Sequence, residues 1–191
     1  MKGARPLTDT EVLSVLGKFR GTYRLRDTAL FILALKTGFR ISELLSLRVC
    51  DVFVFGSVTQ QITVKRSAMK KKIEGRTVAL HPEARECLRA WIEQLSPASR
   101  DTFLFTSRKG QNRALSRQQA WSILTRAFRA AKLSGKLGCH ATRKTFAAKV
   151  HERLGRDLLK TQRALGHRSP ASTAAYLSFD EADITQAILS M

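Results

Sequence analysis

A chain of 191 residues, 43% of them hydrophobic, can bury one sizeable core, so one domain is expected, or at most two small ones. No apolar run approaches the roughly 18 residues needed to cross a bilayer, the first residues lack the apolar stretch of a secretory leader, and no helix pairs a basic face with a strongly apolar one, so no membrane partner and a cytoplasmic location are expected. A formal charge of +19, from 34 Lys and Arg against 15 Asp and Glu, calls for a polyanionic partner.

In chain order, Thr8-Asp9-Thr10-Glu11 is a capping box opening a helix to about Phe19. Residues 26–36 read as a helix apolar all round, which belongs in the core and stops at Thr37-Gly38. A short helix over 41–47 follows, leaving Arg40 at the turn between two buried elements. Residues 58–66 and 76–80 are β-rich and joined by the basic stretch 67–75, a hairpin signature. His81-Pro82 starts a helix with Leu88, Trp91, Ile92 and Leu95 inward. Phe103-Leu104-Phe105 is a candidate third strand, and Ser116 caps a helix to about Lys132. Helices are expected over 141–154, 157–165, 170–177 and 180–189. The expected class is α+β, mainly helical, with a small antiparallel sheet or hairpin, in one domain spanning 1–191.

The charge is unevenly placed. Between Asp101 and Glu152 there are eleven Lys or Arg and no acid, whereas after Arg168 there are three acids, Asp180, Glu181 and Asp183, and no Lys or Arg. A basic body suited to phosphates and an acidic tail suited to protein contact are implied. Cys50, Cys87 and Cys139, an odd number without CxxC spacing, read as reduced thiols.

Several chemistries lack their residues. Acids are scattered rather than clustered for divalent ions, so no metal is expected. The phosphate-cradling GxxxxGK[ST] loop and the GxSxG elbow are both missing, and no cofactor is expected. A metal-free enzyme acting on a phosphodiester must supply a nucleophile, fixed cations around the pentavalent phosphorus and a proton for the leaving oxygen. Arg suits the second task, because its planar fork binds two phosphate oxygens and keeps its charge. Arg40 is the first candidate, with Glu43 one turn on to orient it.

Three boxes then stand in order. Thr37-Gly38-Phe39-Arg40-Ile41-Ser42-Glu43-Leu44 resembles the G-x-R-x-x-E-L box of tyrosine recombinases, the phage integrase family. His140-Ala141-Thr142-Arg143-Lys144-Thr145-Phe146-Ala147 resembles its H-x-x-R-[HK]-T-x-A box. Leu165-Gly166-His167-Arg168-Ser169 resembles its L-G-H-x-S box, with Tyr176 nine residues after the His. Singly, His140 could cap a helix, His167 pack in a loop and Tyr176 be a surface aromatic. The compact length and the stretches 107–110 and 115–120 look closest to the short fimbrial-inversion recombinases.

The resemblance implies the tyrosine recombinase catalytic fold, a Tyr176 nucleophile, phosphate-binding Arg40, Arg143 and His167, and His140 handling the tyrosine proton. A free Tyr has a pKa of about 10 and needs such surroundings to attack as phenolate. The family's hairpin Lys, which protonates the departing 5′ oxygen, aligns with Lys71 when 76–80 is set against R-x-V-P-L, although Ala79 replaces Pro and Lys70 and Lys72 stay open. The neighbouring lysines, together with Arg117 and Lys144, are candidates for holding DNA, and Gln118 and Gln119 are further candidates for facing a groove. Also implied are double-stranded DNA as partner, a homotetramer on paired sites with the C-terminal segment docking between subunits, accessory DNA-bending proteins and nucleoid association in a bacterial, phage or mobile-element setting. The family's usual N-terminal clamp domain is not expected before Leu7. Rival readings are a type IB topoisomerase, a non-catalytic DNA-binding regulator with the same fold, and an RNA-binding or ribosomal protein.

Overall fold

Residues 29–35 are all apolar and have no polar face to offer water, and in the computed structural model, which describes residues 4–64, 75–97, 99–108, 112–177 and 188–189, they lie in the helix around which the first part of the chain packs. That helix, α2 (Arg24–Thr37), follows α1 (Asp9–Leu16) and buries every residue from Ala29 to Leu35. Leu30, Leu33 and Ala34 join a core cluster with α3 (Ile41–Ser46), α4 (Val49–Val52) and α5 (Pro82–Leu95). Phe31 and Leu35 join a second cluster with Leu7, Val15, Phe19 and the Leu124–Phe128 face of α6 (Arg117–Ala130). Burying a large apolar side chain is worth roughly 1.5–3 kcal/mol, so a helix committed to two clusters is the main source of cohesion here.

The chain divides into two compact units, Met1–Phe146 and Ala147–Met191. The boundary falls within α7 (Cys139–Arg153), and the second unit carries α8 (Leu158–Leu165) and α9 (Pro170–Ala174).

The caps form as their residues dictate. The Thr8 hydroxyl accepts from the Glu11 N–H at 3.2 Å and the Glu11 carboxylate from the Thr8 N–H at 2.9 Å. Ser116 and Gln119 reciprocate in the same way at 3.1 and 2.8 Å. His81 caps α5, and the Trp91 indole donates to the Leu104 carbonyl at 2.6 Å, so the largest inward side chain of α5 also satisfies its one polar atom.

Strand expectations needed correction. The run over 58–66 is two strands within the described residues, because its partner changes. β2 (Ser57–Val58) pairs back with β1 (Phe53–Val54) through the Phe55-Gly56 turn, whereas β3 (Gln61–Val64) pairs antiparallel with β4 (Arg76–Ala79). Both turn residues have positive φ, 49° and 76°, the geometry that closes a two-residue hairpin, and Gly56 was its only cue. The expected strand at Phe103-Leu104-Phe105 bends at Leu104 and Phe105 and bonds to two segments, Leu104 N–H to Leu47 and Phe105 C=O to Leu115, so no ladder forms. α1 stops at Leu16 rather than Phe19, which nonetheless stays in the core, and α9 ends at Ala174 rather than Leu177. Of the helix expected over 180–189, only 188–189 lie within the described residues.

Gly38 ends α2 in the left-handed region at φ 59°, and a Cβ there would land inside the ring of Phe146. Gly38→Ala should therefore lower stability by ~2–5 kcal/mol, from backbone strain plus overpacking. Urea unfolding at neutral pH measures it, and a loss below the measurement error would show that Phe146 can move aside.

Candidate active site

The turn after α2 is gripped from two sides. The Phe39 ring is fully buried and anchors it, and the Thr37 hydroxyl donates to the Leu33 carbonyl at 2.6 Å, tying the turn to the helix. Two buried arginines donate to successive backbone carbonyls: Arg76 of β4 to Thr37, and Arg143 of α7 to Gly38. Arg143 is 1% exposed and is the largest fully buried side chain among the described residues. Arg40 begins α3, where the Glu43 carboxylate accepts from its backbone N–H at 2.7 Å and from its guanidinium at 2.8 Å. Glu43 itself is 0% exposed. Its cost of burial is offset by this double bond to Arg40, which fixes the guanidinium at one edge and leaves a third of the Arg40 side chain open.

Arg40 is thus bonded to the buried Glu43 carboxylate, Arg76 feels the charge of that carboxylate, and Arg143 lies close enough to act on Arg76 through its own charge. Burial, then the charge of Arg143 and that of Arg40, push the Arg76 guanidinium down to about 9, against the pull of Glu43. Arg76 also lies over the Phe39 ring, 4.8 Å from its centre, where the π face compensates part of the lost hydration. Arg76 remains a cation at neutral pH. A phosphodiester, with two free oxygens, is an anion that a group of guanidiniums can hold.

His140 stands one turn before Arg143 on α7. Desolvation, followed by the charges of Arg143 and Arg40, lowers its imidazole below the ordinary histidine range although the ring rim is exposed. It is therefore neutral at pH 7 and able to accept a proton. Lys144, the next residue along, is half-buried.

In the second unit, Gly166 ends α8 in the left-handed region at φ 63°, turning the chain so that His167 faces α9. The His167 Nδ1 is 2.9 Å from the Thr173 hydroxyl, and Thr173 is fully buried. The His167 ring meets Tyr176 edge-on with centres 5.2 Å apart, while the Tyr176 N–H donates to the Thr173 carbonyl at 2.9 Å. One residue, Thr173, thus positions both the imidazole and the phenol.

Of the residues singled out from sequence, Arg40, Glu43, His140 and Arg143 come together in the first unit, and His167 and Tyr176 in the second. Lys70, Lys71 and Lys72 lie outside the described residues. Arg117 and Gln118 are exposed at the start of α6, but Gln119 is held in the helix cap and donates to Ser107 at 3.2 Å, which removes it from any groove-facing set. Arg76 was used only to align the hairpin. Its signal was phase: Arg76, Val78 and Leu80 share one side of β4, and an Arg in the inward register needs an internal partner.

Comparison with known proteins follows the same lines. The phage integrase family profile matches residues 6–182. The chain is 29% identical over 183 residues to the probable integrase/recombinase YoeC of Bacillus subtilis strain 168, covering 96% of this chain and 93% of that protein. It is 34% identical over 155 residues to the tyrosine recombinase XerD of Corynebacterium glutamicum, covering 80% of this chain and 48% of that protein. Thus it spans nearly the whole of YoeC but about half of XerD. Among solved structures, the XerH site-specific recombinase bound to a palindromic difH substrate aligns with a TM-score of 0.76 at 26% identity, over 96% of this chain and 51% of that one. XerA recombinase shares the fold, with a TM-score of 0.77 at 22% identity over 99% of this chain and 64% of that one.

Proposed function

We propose, because the chain belongs to the phage integrase family, that it is a site-specific recombinase catalytic domain cleaving and rejoining DNA strands through a 3′-phosphotyrosyl intermediate. The observation that carries this reading is the convergence of the Arg40, Arg76 and Arg143 guanidiniums on the turn after α2, beside the buried Glu43 carboxylate. Tyr176 attacks a scissile phosphate, its Oη–P bond forming as the P–O5′ bond breaks. The phenolic proton passes to neutral His140, and the departing 5′ oxygen takes a proton from the hairpin Lys71. Arg40 and Arg143 hold the two non-bridging oxygens as charge builds on them, and His167 adds a third contact. The reverse attack by a 5′ hydroxyl regenerates Tyr176, and the bond energy is kept in the ester, so no ATP is consumed.

Double-stranded DNA is the partner that the net charge supports, with Lys70, Lys72, Arg117 and Lys144 as further backbone contacts. A homotetramer on paired sites follows from two strand exchanges needing four cuts, with the acidic C-terminal segment as the docking element between subunits. The exposed Ile188 and Leu189 are the apolar anchors such docking would use. The two compact units act together as one catalytic domain. Accessory bending proteins and nucleoid association belong to the same reading.

The test is a nicked suicide duplex, incubated with the protein in excess chelator and resolved under denaturing conditions. A protein–DNA adduct on paired-site substrates supports the recombinase. Relaxation of supercoils without sites points to a topoisomerase, and tight binding without an adduct to a regulator.

The His140 pKa predicts a pH profile. Because its folded value is lowered, the base form persists below the ordinary histidine range, and the cleavage rate should fall only as pH drops through that lowered value. Stability moves with the same sign: the contribution is complete above the unfolded pKa of about 6.5 and is lost as pH falls through the folded one. Single-turnover adduct formation from pH 5 to 8, compared with His140→Gln, checks this; a variant retaining the acid limb would assign it elsewhere.

A further inference from the structure

The Arg40 cluster lies at the C-terminal end of α2, and a second group of cations surrounds a cavity of about 550 Å³ at its other end. The loop over 18–23, the first turn of α2, one face of α6 and Arg108 line it. Its charged residues are Lys18, Arg20, Arg26, Arg108 and Arg126 against one carboxylate, Asp27.

That carboxylate is already engaged. Asp27 Oδ1 accepts from Arg26 Nε at 2.9 Å and from Nη2 at 2.8 Å, and Arg26 Nη1 donates to the Thr106 carbonyl at 3.0 Å. The Arg26 guanidinium also lies 4.4 Å from the Tyr23 ring centre and is buried. Arg26, Asp27 and Tyr23 therefore form a neutral, fixed wall. Burial raises the Asp27 carboxyl above its ordinary range, and the charges of Arg26, then Arg126 and Arg108, pull against that rise, which places both exposed arginines near this wall.

Four exposed cations, Lys18, Arg20, Arg108 and Arg126, form no salt bridge among the described residues, and Arg20 donates to the Phe19 carbonyl at 2.9 Å. Gathering them round one concavity is unfavourable unless an anion occupies it. A rise of 1.5 Å per residue puts the two ends of α2 roughly 20 Å apart, too far for one phosphate to reach both. Three of the four cations are Arg, whose forks match phosphate oxygens, and they are spread round a wide cavity rather than paired, which fits successive phosphates of a strand.

We propose that this cavity is a second phosphate-binding site, holding backbone phosphates of nucleic acid away from the phosphate engaged by Arg40 and Arg143. The proposal rests on the reading of the chain as a DNA-acting protein.

The test is the double variant Arg108→Gln, Arg126→Gln in the full chain, two exposed positions outside the Arg40 cluster. Duplex affinity is measured across a salt series, and unchanged thermal unfolding verifies that the variant is folded. Loss of two phosphate contacts should lower the slope of log K against log salt by about 2, at roughly 0.9 per phosphate. In the parent protein, inorganic pyrophosphate should shift the backbone amides of 18–22 and the Nε–H signals of Arg108 and Arg126. An unchanged slope in the folded variant overturns the proposal. Loss of self-association with an unchanged slope also overturns it, in favour of an acidic protein segment such as the one holding Asp180 and Glu181. If the parent forms no adduct on any duplex yet the slope falls, the phosphate site stands and the cleavage reading fails.

Discussion

Tyr176→Phe is expected to abolish the covalent protein–DNA adduct while leaving duplex affinity nearly unchanged. The substitution removes one oxygen and keeps the ring, so the edge-on contact with His167 at 5.2 Å survives. The backbone bond from Tyr176 N–H to Thr173 does not involve the side chain and survives as well. Affinity comes mainly from cations on phosphates, none of which is touched. What is lost is the hydroxyl proposed to form the ester. Denaturing electrophoresis of suicide-duplex reactions reads the adduct, and a mobility assay on the same samples reads binding. The only other tyrosine in the chain is Tyr23, which belongs to the first unit and lies against the Arg26 guanidinium. An adduct persisting in the variant would therefore remove Tyr176 from the mechanism altogether.

Arg143→Lys should lower the single-turnover rate of adduct formation on the order of 10²–10³, as expected for losing one transition-state donor set. The charge is retained, so any loss reports geometry. Arg143 has a planar fork of several donors, one of which holds the Gly38 carbonyl, and the proposed phosphate contact needs another. A lysine has one compact head and cannot do both. If it turns to the phosphate, the buried Gly38 carbonyl loses its donor, and stability falls by about 1–3 kcal/mol. Urea unfolding and the rate are measured on the same preparation. A rate loss no larger than the loss of folded protein would make Arg143 a structural residue of the Gly38 turn.

Local features carried over from sequence to structure most faithfully. The reciprocal caps at Thr8 and Glu11 and at Ser116 and Gln119 form because both partners lie three residues apart, within reach before any tertiary contact exists. α2 was readable as a core helix because an all-apolar surface has no other stable place. Strand boundaries were less readable, since alternation over 58–66 gives the inward phase but is blind to which neighbour supplies each hydrogen bond.

The candidate site divides in the same way. Arg40 could be singled out by residue type and place in the chain, whereas His140, Arg143, His167 and Tyr176 were singled out through the resemblance of their boxes, each a short run of neighbouring residues, to those of the family. Arg76 was not, because its place beside Phe39 and Thr37 depends on the pairing of β3 with β4 and on the packing of α2, contacts tens of residues apart in the chain. Nor could the sequence foresee that Gln119 closes a helix cap, or that Lys18, Arg108 and Arg126 surround one cavity. Residue chemistry and short-range spacing are properties of the chain itself, so they determined the family and most of the helices. Which charges share a carboxylate, and which are left over for a ligand, is a sum over neighbours that only folding brings together, so tertiary structure alone decided it.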